Sequence, residues 1–151
     1  MPNNTLTALM DYFREELKEK FSNSEISKMT EILFNHYFGL SKVELILEGD
    51  RQFSESELLK VIRAVKELKK DKPLAYILGE WEFYGLSFKV NKSTLIPRPE
   101  TEELVDLMLR ENTKGSILDV GTGTGCIAIS LKKNNSSFHV AAYDVSEGAL
   151  E

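Results

Sequence analysis

Along the first seventy residues, apolar positions recur every three or four residues; beyond them the period drops to two. Leu6, Leu9, Met10, Phe13 and Leu17 fall on one face of a helix. Ser22-x-x-Glu25 is a capping box, followed at helical spacing by Ile26, Met29, Ile32, Leu33 and Tyr37, and Gly39 ends that helix. Ser41-x-x-Glu44 opens a short helix through Leu47, closed by the turn Glu48-Gly49-Asp50. Ser54-x-x-Glu57 opens a helix of about four turns to Lys70, and Pro73 suits the first turn of another that ends at Gly79. Five short helices with tight connections predict a small bundle. It carries no metal or nucleophile constellation, so its expected role is to bind or to support a neighbour.

Trp81 and Phe83, then Leu86, Phe88 and Val90, alternate around Tyr84-Gly85, which predicts a β-hairpin. Asn91 to Thr94 reads as a loop. Pro97 and Pro99 hold the next stretch extended, and Pro99 can open a helix with Glu100, Glu102 and Glu103 at its positive end. Leu104, Val105, Leu107 and Met108 are its expected buried stripe, and Lys114-Gly115 its expected close. A strand over Ile117–Val120, a helix over Gly123–Lys133 and a strand over His139–Tyr143 then make a βαβ unit.

The turn inside that unit, Gly121-Thr122-Gly123-Thr124-Gly125, carries the candidate chemistry. It sits at the carboxyl end of a strand, where open α/β sheets bind ligands. Glycine there adopts positive φ and lets a ligand approach the backbone, while the following helix offers unpaired N–H groups to ligand oxygens. Asp144 ends the second strand, nineteen residues after Gly125, where a carboxylate can accept both hydroxyls of a ribose. An adenosine-type cofactor is the expected guest; the alternative is a tight turn with no ligand. The spacing G-x-G-x-G, preceded by Asp119, departs from the dinucleotide fingerprint, whose third glycine would fall at Cys126, and no P-loop lysine is present.

Composition narrows the classes. The chain is 42% hydrophobic and 28% charged, as globular proteins are. Residues 1–72 hold 12 Lys and Arg against 13 Asp and Glu, and residues 73–151 hold 7 against 11. That balance is not the footprint of a nucleic-acid binder. The basic run Val61 to Lys72 is read as the solvated face of a helix. No apolar run approaches the roughly 20 residues of a membrane span, and the N-terminus lacks a basic segment followed by an apolar block. One cysteine excludes an intramolecular disulfide framework and a multi-cysteine metal site; together these features favour the cytoplasm. Cys126 at the helix start, His36 and His139 are read as packing or structural residues, with a lowered Cys126 thiol pKa the alternative. The hairpin aromatics are read as packing against the domain that follows.

Asp119 to Ile129, D-V-G-T-G-T-G-C-I-A-I, resembles motif I of class I methyltransferases, which bind S-adenosylmethionine. L-I-P-R-P-E-T-E-E-L-V and the preceding P-L-A-Y-I-L-G-E-W-E-F-Y-G-L-S-F-K-V resemble one group within that class, the protein-(glutamine-N5) methyltransferases that modify peptide chain release factors. Paralogues acting on a ribosomal protein generally lack R-P-E-T-E, so the release-factor branch is preferred. The resemblance implies an α/β fold overall: a helical substrate-recognition domain over 1–79, a hairpin linker over 80–94, and over 95–151 the start of a truncated Rossmann-like methyltransferase domain. It implies that Gly121, Thr122, Gly123, Thr124 and Gly125 lie under the methionine moiety, that Asp144 holds the ribose, and that Asp119 supports the loop. It sets Arg98, Glu100, Thr101 and Glu102 beside the cofactor; the alternative for that stretch is helix capping with Arg98 in a surface ion pair.

The same resemblance implies an Asn-Pro-Pro-Tyr element after the fourth strand, whose asparagine and proline backbone bind the target glutamine amide. None occurs here; the four prolines are Pro2, Pro73, Pro97 and Pro99. The expectation is therefore an N-terminal part of such an enzyme, inactive alone, with its catalytic element beyond Glu151, no metal, no nucleic-acid partner and release factors as protein substrate. Rival readings are a non-catalytic release-factor-binding module and a nicotinamide-dependent oxidoreductase, the latter opposed by the glycine spacing. Two parallel strands cannot bury both faces of a sheet and leave apolar edges. Residues beyond 115 are thus expected to be loosely held or associated with another copy. Amide hydrogen exchange on a monomeric sample checks this: protection across Ile117–Tyr143 should be low or uneven, and uniformly high protection would contradict it.

Overall fold

The structure, a computed structural model, describes residues 4–150. The chain divides between Leu78 and Gly79 into two compact units. The first is all-helical: α1 (Leu6–Leu17), α2 (Asn23–Phe38), α3 (Lys42–Leu47), α4 (Glu55–Leu68) and α5 (Leu74–Leu78). Ser22, Ser41 and Ser54 each accept the N3 backbone N–H, while Glu25, Glu44 and Glu57 reach back to the cap N–H. Gly39 closes α2 in the left-handed conformation, with φ 68°. α1 begins without a box, on Thr5, whose hydroxyl accepts the Ala8 N–H.

The expected stripe of α1 is buried at Leu6, Leu9, Phe13 and Leu17. On α2, Ile26 and Leu33 are buried as expected, and Thr30 and Phe34 join them. Thr30 tolerates burial because its hydroxyl donates to the Ile26 carbonyl at 2.8 Å. Phe34 meets Phe13 and Phe38 edge-on, and Phe38 leans on Phe53 at 4.6 Å between centroids. The Arg51–Phe53 segment is strapped to the chain start by Leu6 N–H to Arg51 O and Phe53 N–H to Asn4 O, both 2.8 Å. α4 stops at Leu68, two residues before the expected Lys70, because the chain turns through Asp71 at φ 65°. The Lys69 ammonium pairs with Glu16 and that of Lys70 with Glu67, so the basic run is a solvated face.

The second unit opens with the hairpin β1 (Glu80–Phe83) and β2 (Leu86–Lys89), paired Phe83 to Leu86. Tyr84 and Gly85 both take positive φ, 52° and 68°, the type I′ turn that matches strand twist. α6 (Pro99–Glu111), β3 (Gly115–Val120), α7 (Cys126–Asn134) and β4 (Phe138–Tyr143) follow. β3 and β4 pair in parallel, with Ile117 opposite Val140. A short 3-10 turn, Glu147–Ala149, comes after β4. Phe83, Phe88, Val105, Cys126, Leu131 and Phe138 form the core. This is an α/β arrangement of the kind that begins a class I methyltransferase fold.

Three local expectations need correction. α7 starts at Cys126, not Gly123, because Gly123 and Gly125 hold φ of 56° and 76° and cannot join a right-handed helix. Gly115 does not close α6: the helix ends at Glu111, the extended Asn112 follows, and Gly115 starts β3. Of the α6 stripe, Val105 is buried but Leu104 and Leu107 are about half exposed, because only one edge of the helix faces the core among the described residues. Met1–Asn3 and Glu151, the ends of the 1–79 and 95–151 segments, lie outside the described residues.

The three capping boxes share one pH response. Bonds from the serine hydroxyl and backbone hold the Glu25, Glu44 and Glu57 carboxyls below their ordinary values. Their stabilisation is thus full above pH ~4.3 and fades as pH falls through the lower folded values. Ser54→Ala should lower stability at pH 7 by about 1 kcal/mol. Urea unfolding checks it, and the gap to the unsubstituted chain should shrink on acidification as Glu57 is protonated.

Candidate cofactor site

The site is built where β3 and β4 end side by side. Their parallel register sets Val120 opposite Tyr143, so the glycine loop leaves β3 next to Asp144. The Tyr143 carbonyl accepts the N–H groups of Gly121 and Thr122 at 2.8 and 3.1 Å, anchoring the loop to the neighbouring strand. Gly121, Gly123 and Gly125 all take positive φ, at 77°, 56° and 76°. A Cβ added at Gly121 or Gly123 would meet nothing within 4 Å, so these glycines face open space and are required by conformation rather than crowding. A Cβ at Gly125 would lie 3.0 Å from Ile129 Cδ1.

Two carboxylates brace the loop. Asp119 Oδ2 accepts the Thr122 hydroxyl at 2.7 Å. Asp144 Oδ2 accepts the Gly123 N–H at 2.7 Å, and its Oδ1 accepts the Ser146 N–H at 2.9 Å. These bonds, first that from Ser146 and then that from Gly123, hold the Asp144 carboxyl below its ordinary value. Asp144 is therefore an ionised acceptor at neutral pH, with lone pairs left on both oxygens. Gly125 caps α7 in the left-handed conformation without any side-chain cap bond, so the first N–H groups of α7 have no helical partner.

The structure brings Asp119, Gly121, Thr122, Gly123, Thr124, Gly125 and Asp144 together where β3 and β4 end. The R-P-E-T-E residues divide. Arg98 is the N-cap of α6 but makes no side-chain cap bond; its side chain and that of Glu100 are exposed. Thr101 is half-buried and its N–H bonds the Arg98 carbonyl at 3.0 Å. Glu102 turns to the hairpin, where Oε1 accepts the Tyr84 N–H at 2.7 Å. The Tyr84 hydroxyl donates to Asp106 at 2.5 Å, and this bond, then burial, pushes the phenol above its ordinary value. Cys126 is buried, and burial pushes its thiol up against the smaller opposing effect of the Thr124 hydroxyl, so it is a packing residue and not an activated thiolate.

Two partners are absent from the sequence reading. Ser146 follows Asp144 by two residues, the spacing of an Asx turn, and that signal was legible. Asn91 Nδ2 donates to the Gly148 carbonyl at 2.8 Å, a contact across 57 residues with no local signature. A cavity of about 490 Å³ opens on the flank of the loop; it is lined by Thr124, Ile129, Phe88 and Asn91 among others, and not by Gly123 or Asp144. Among the described residues no group of three or more His, Cys, Asp and Glu could hold a metal. No helix among them is long and apolar enough to cross a membrane.

Comparison with known proteins gives the same two-part division. Residues 8–79 match the PrmC N-terminal domain, and residues 100–151 match the methyltransferase small domain. The chain is 46% identical over 144 residues to the release factor glutamine methyltransferase of Flavobacterium psychrophilum, covering 91% of this chain and 50% of that protein. It is 38% identical over 148 residues to the release factor glutamine methyltransferase of Bacteroides thetaiotaomicron, covering 97% and 52%. Over the length it spans, the chain is similar to proteins named release factor glutamine methyltransferase. It spans about half the length of the curated relatives it matches; the protein so named in Leptospira interrogans, 38% identical over 155 residues, is covered to 53%. The resemblance read from D-V-G-T-G-T-G and R-P-E-T-E falls on the second unit, and the helical unit is the part that matches the PrmC N-terminal domain.

The Asp144 bonds generate a signed expectation. A carboxyl held low in the fold stabilises fully above its ordinary pKa of about 3.9 and loses that contribution as pH falls through the folded value. Asp144→Asn should be less stable than the unsubstituted chain at pH 7, with the difference closing below pH ~4. Denaturation across pH 3–7, with the Gly123 amide signal as local reporter, checks both parts.

Proposed function

We propose that the whole protein transfers a methyl group from S-adenosylmethionine to the side-chain amide nitrogen of a glutamine in a peptide chain release factor. The second unit of this chain would hold the cofactor and the helical unit would recognise the release factor. The observation that carries the reading is the Gly121–Gly125 loop, open above two left-handed glycines and braced by an ionised Asp144. The similarity to proteins named release factor glutamine methyltransferase supports it.

The residues suit an adenosine-type cofactor, and the G-x-G-x-G spacing departs from the dinucleotide fingerprint. Gly121 and Gly123 leave space for a ligand against the backbone, and the uncapped start of α7 offers N–H groups to ligand oxygens. The free lone pairs of Asp144 would accept two ribose hydroxyls, as an ionised carboxylate does best. Asp119 would keep the loop in shape through the Thr122 hydroxyl. Thr124 and the exposed Arg98 and Glu100, with Thr101, would lie along the bound molecule.

When bound, the sulfonium supplies an activated methyl group. The amide nitrogen is a poor nucleophile because its lone pair is delocalised into the carbonyl. Hydrogen-bond acceptors on its N–H groups would orient it, and orientation is then most of the catalysis. The methyl would pass from that sulfur to the amide nitrogen, leaving a thioether and releasing one amide proton. The Asn-Pro-Pro-Tyr element expected to provide that orientation does not occur in this sequence. Transfer is therefore assigned to the whole protein and cofactor binding to this chain.

Calorimetric titration tests the binding half. S-adenosylmethionine should bind the chain and NAD should not. Asp144→Ala should weaken binding roughly tenfold or more, the loss of hydrogen bonds to a charged group. Binding of NAD in place of S-adenosylmethionine would restore the oxidoreductase reading.

A further inference from the structure

Glu102 belongs to the run set beside the cofactor, yet its carboxylate is engaged elsewhere. Its Oε1 accepts the N–H of Tyr84 at 2.7 Å. Tyr84 is the first central residue of the hairpin turn and holds a left-handed φ of 52°, which a non-glycine residue adopts rarely. In such a two-residue turn that N–H points away from the strand ladder and needs an outside acceptor. Asp106, one helical turn beyond Glu102, accepts the hydroxyl of the same tyrosine. Two carboxylates at i and i+4 on α6 thus hold one residue by its backbone and its side chain.

Beneath this clasp, Phe83 and Phe88 share a core with Val105. The hairpin is therefore held to α6 by a shared apolar core and by the two carboxylates. The first turn of α6 carries Arg98, Glu100 and Thr101, and α6 packs on α7, whose start is the glycine loop.

We propose that Glu102 is a positioning residue for this site. By capturing the Tyr84 N–H it fixes the rotation and height of α6 on the hairpin, and so sets the Leu95–Thr101 segment against the glycine loop. The inference rests on reading that loop as the cofactor site, and it gives Glu102 a role that needs no contact with the cofactor. Glu100 and Arg98 stay free for that contact because neither takes part in the clasp.

The test uses the 151-residue chain labelled with nitrogen-15. Hydrogen exchange at the Tyr84 amide is followed with the backbone signals of Thr101 and Gly123 and with the affinity for S-adenosylmethionine. Glu102→Ala should speed Tyr84 exchange roughly tenfold or more, shift Thr101 and Gly123, and weaken cofactor binding. Glu102→Gln, whose amide oxygen still accepts, should restore most of all three. Tyr84→Phe keeps the N–H and should leave Thr101 and Gly123 in place. Unchanged Tyr84 exchange in Glu102→Ala overturns the proposal. So does faster exchange with Thr101 and Gly123 unmoved, or a Tyr84→Phe variant that moves them as much. If the unsubstituted chain binds no S-adenosylmethionine, the cofactor reading fails, while the amide measurements still decide whether Glu102 sets α6.

Discussion

The hydrogen bond from the Gly123 N–H to Asp144 ties the loop that leaves β3 to the end of β4, beside the two bonds that the Tyr143 carbonyl accepts from Gly121 and Thr122. The shape of the candidate site depends on it. To present that N–H to Asp144, the loop passes through left-handed φ at Gly121, Gly123 and Gly125, which only glycine tolerates without strain. Because Gly125 is left-handed, α7 begins late and uncapped. Because Asp144 receives backbone donors on both oxygens, it stays ionised and cannot serve as a proton donor near neutral pH. The geometry suits the proposed role of holding and orienting a ligand.

The hairpin answers a different constraint. A two-stranded hairpin is marginal by itself in water. Here its buried Phe83 and Phe88 lie at 6.2 Å and 73° to one another and share a core with Val105, while Glu102 and Asp106 hold its turn. Asn91 and Ser93 then carry the chain past Gly148, where a Cβ would lie 2.7 Å from Ser93 Oγ. The segment between the hairpin and α6 is thus fastened at both ends, which is what Arg98 at its close, and Glu100 and Thr101 in the first turn of α6, need if those side chains are to meet a ligand at fixed positions.

What could be read from the sequence was local. Ser22, Ser41 and Ser54 announce their helices because a capping box is a four-residue device, and Tyr84-Gly85 announces its turn for the same reason. The glycine loop and Asp144 were legible as neighbours because strand–turn–helix–strand brings them together whatever the rest of the fold does. The start of α7 was misplaced because apolar periodicity continues into the loop while the backbone does not. The bond that Glu102 accepts was not legible because its donor is a backbone N–H eighteen residues earlier, and no side-chain pattern records where a turn amide points. Asn91 and Gly148 were invisible for the same reason.

The two units also differ in how far their cores close. In the helical unit, Leu6, Leu9, Phe13, Leu17, Leu33 and Phe34 are fully buried, and the large apolar side chains left exposed among the described residues are Val43, Ile46 and Leu47 on α3 and Leu59 on α4. In the second unit Leu118, Val120 and Tyr143, on the paired strands that carry the site, are more than half exposed. Parallel strands in α/β folds are ordinarily covered on both faces. The loop geometry survives this exposure because its bonds run between the strand ends and the loop backbone, through Tyr143, Asp144 and Asp119, and not through the sheet faces. Shape at the site and burial of the sheet are therefore separable quantities here: the first is set by a few short-range bonds among loop and strand-end groups, and the second depends on how much of a sheet is covered.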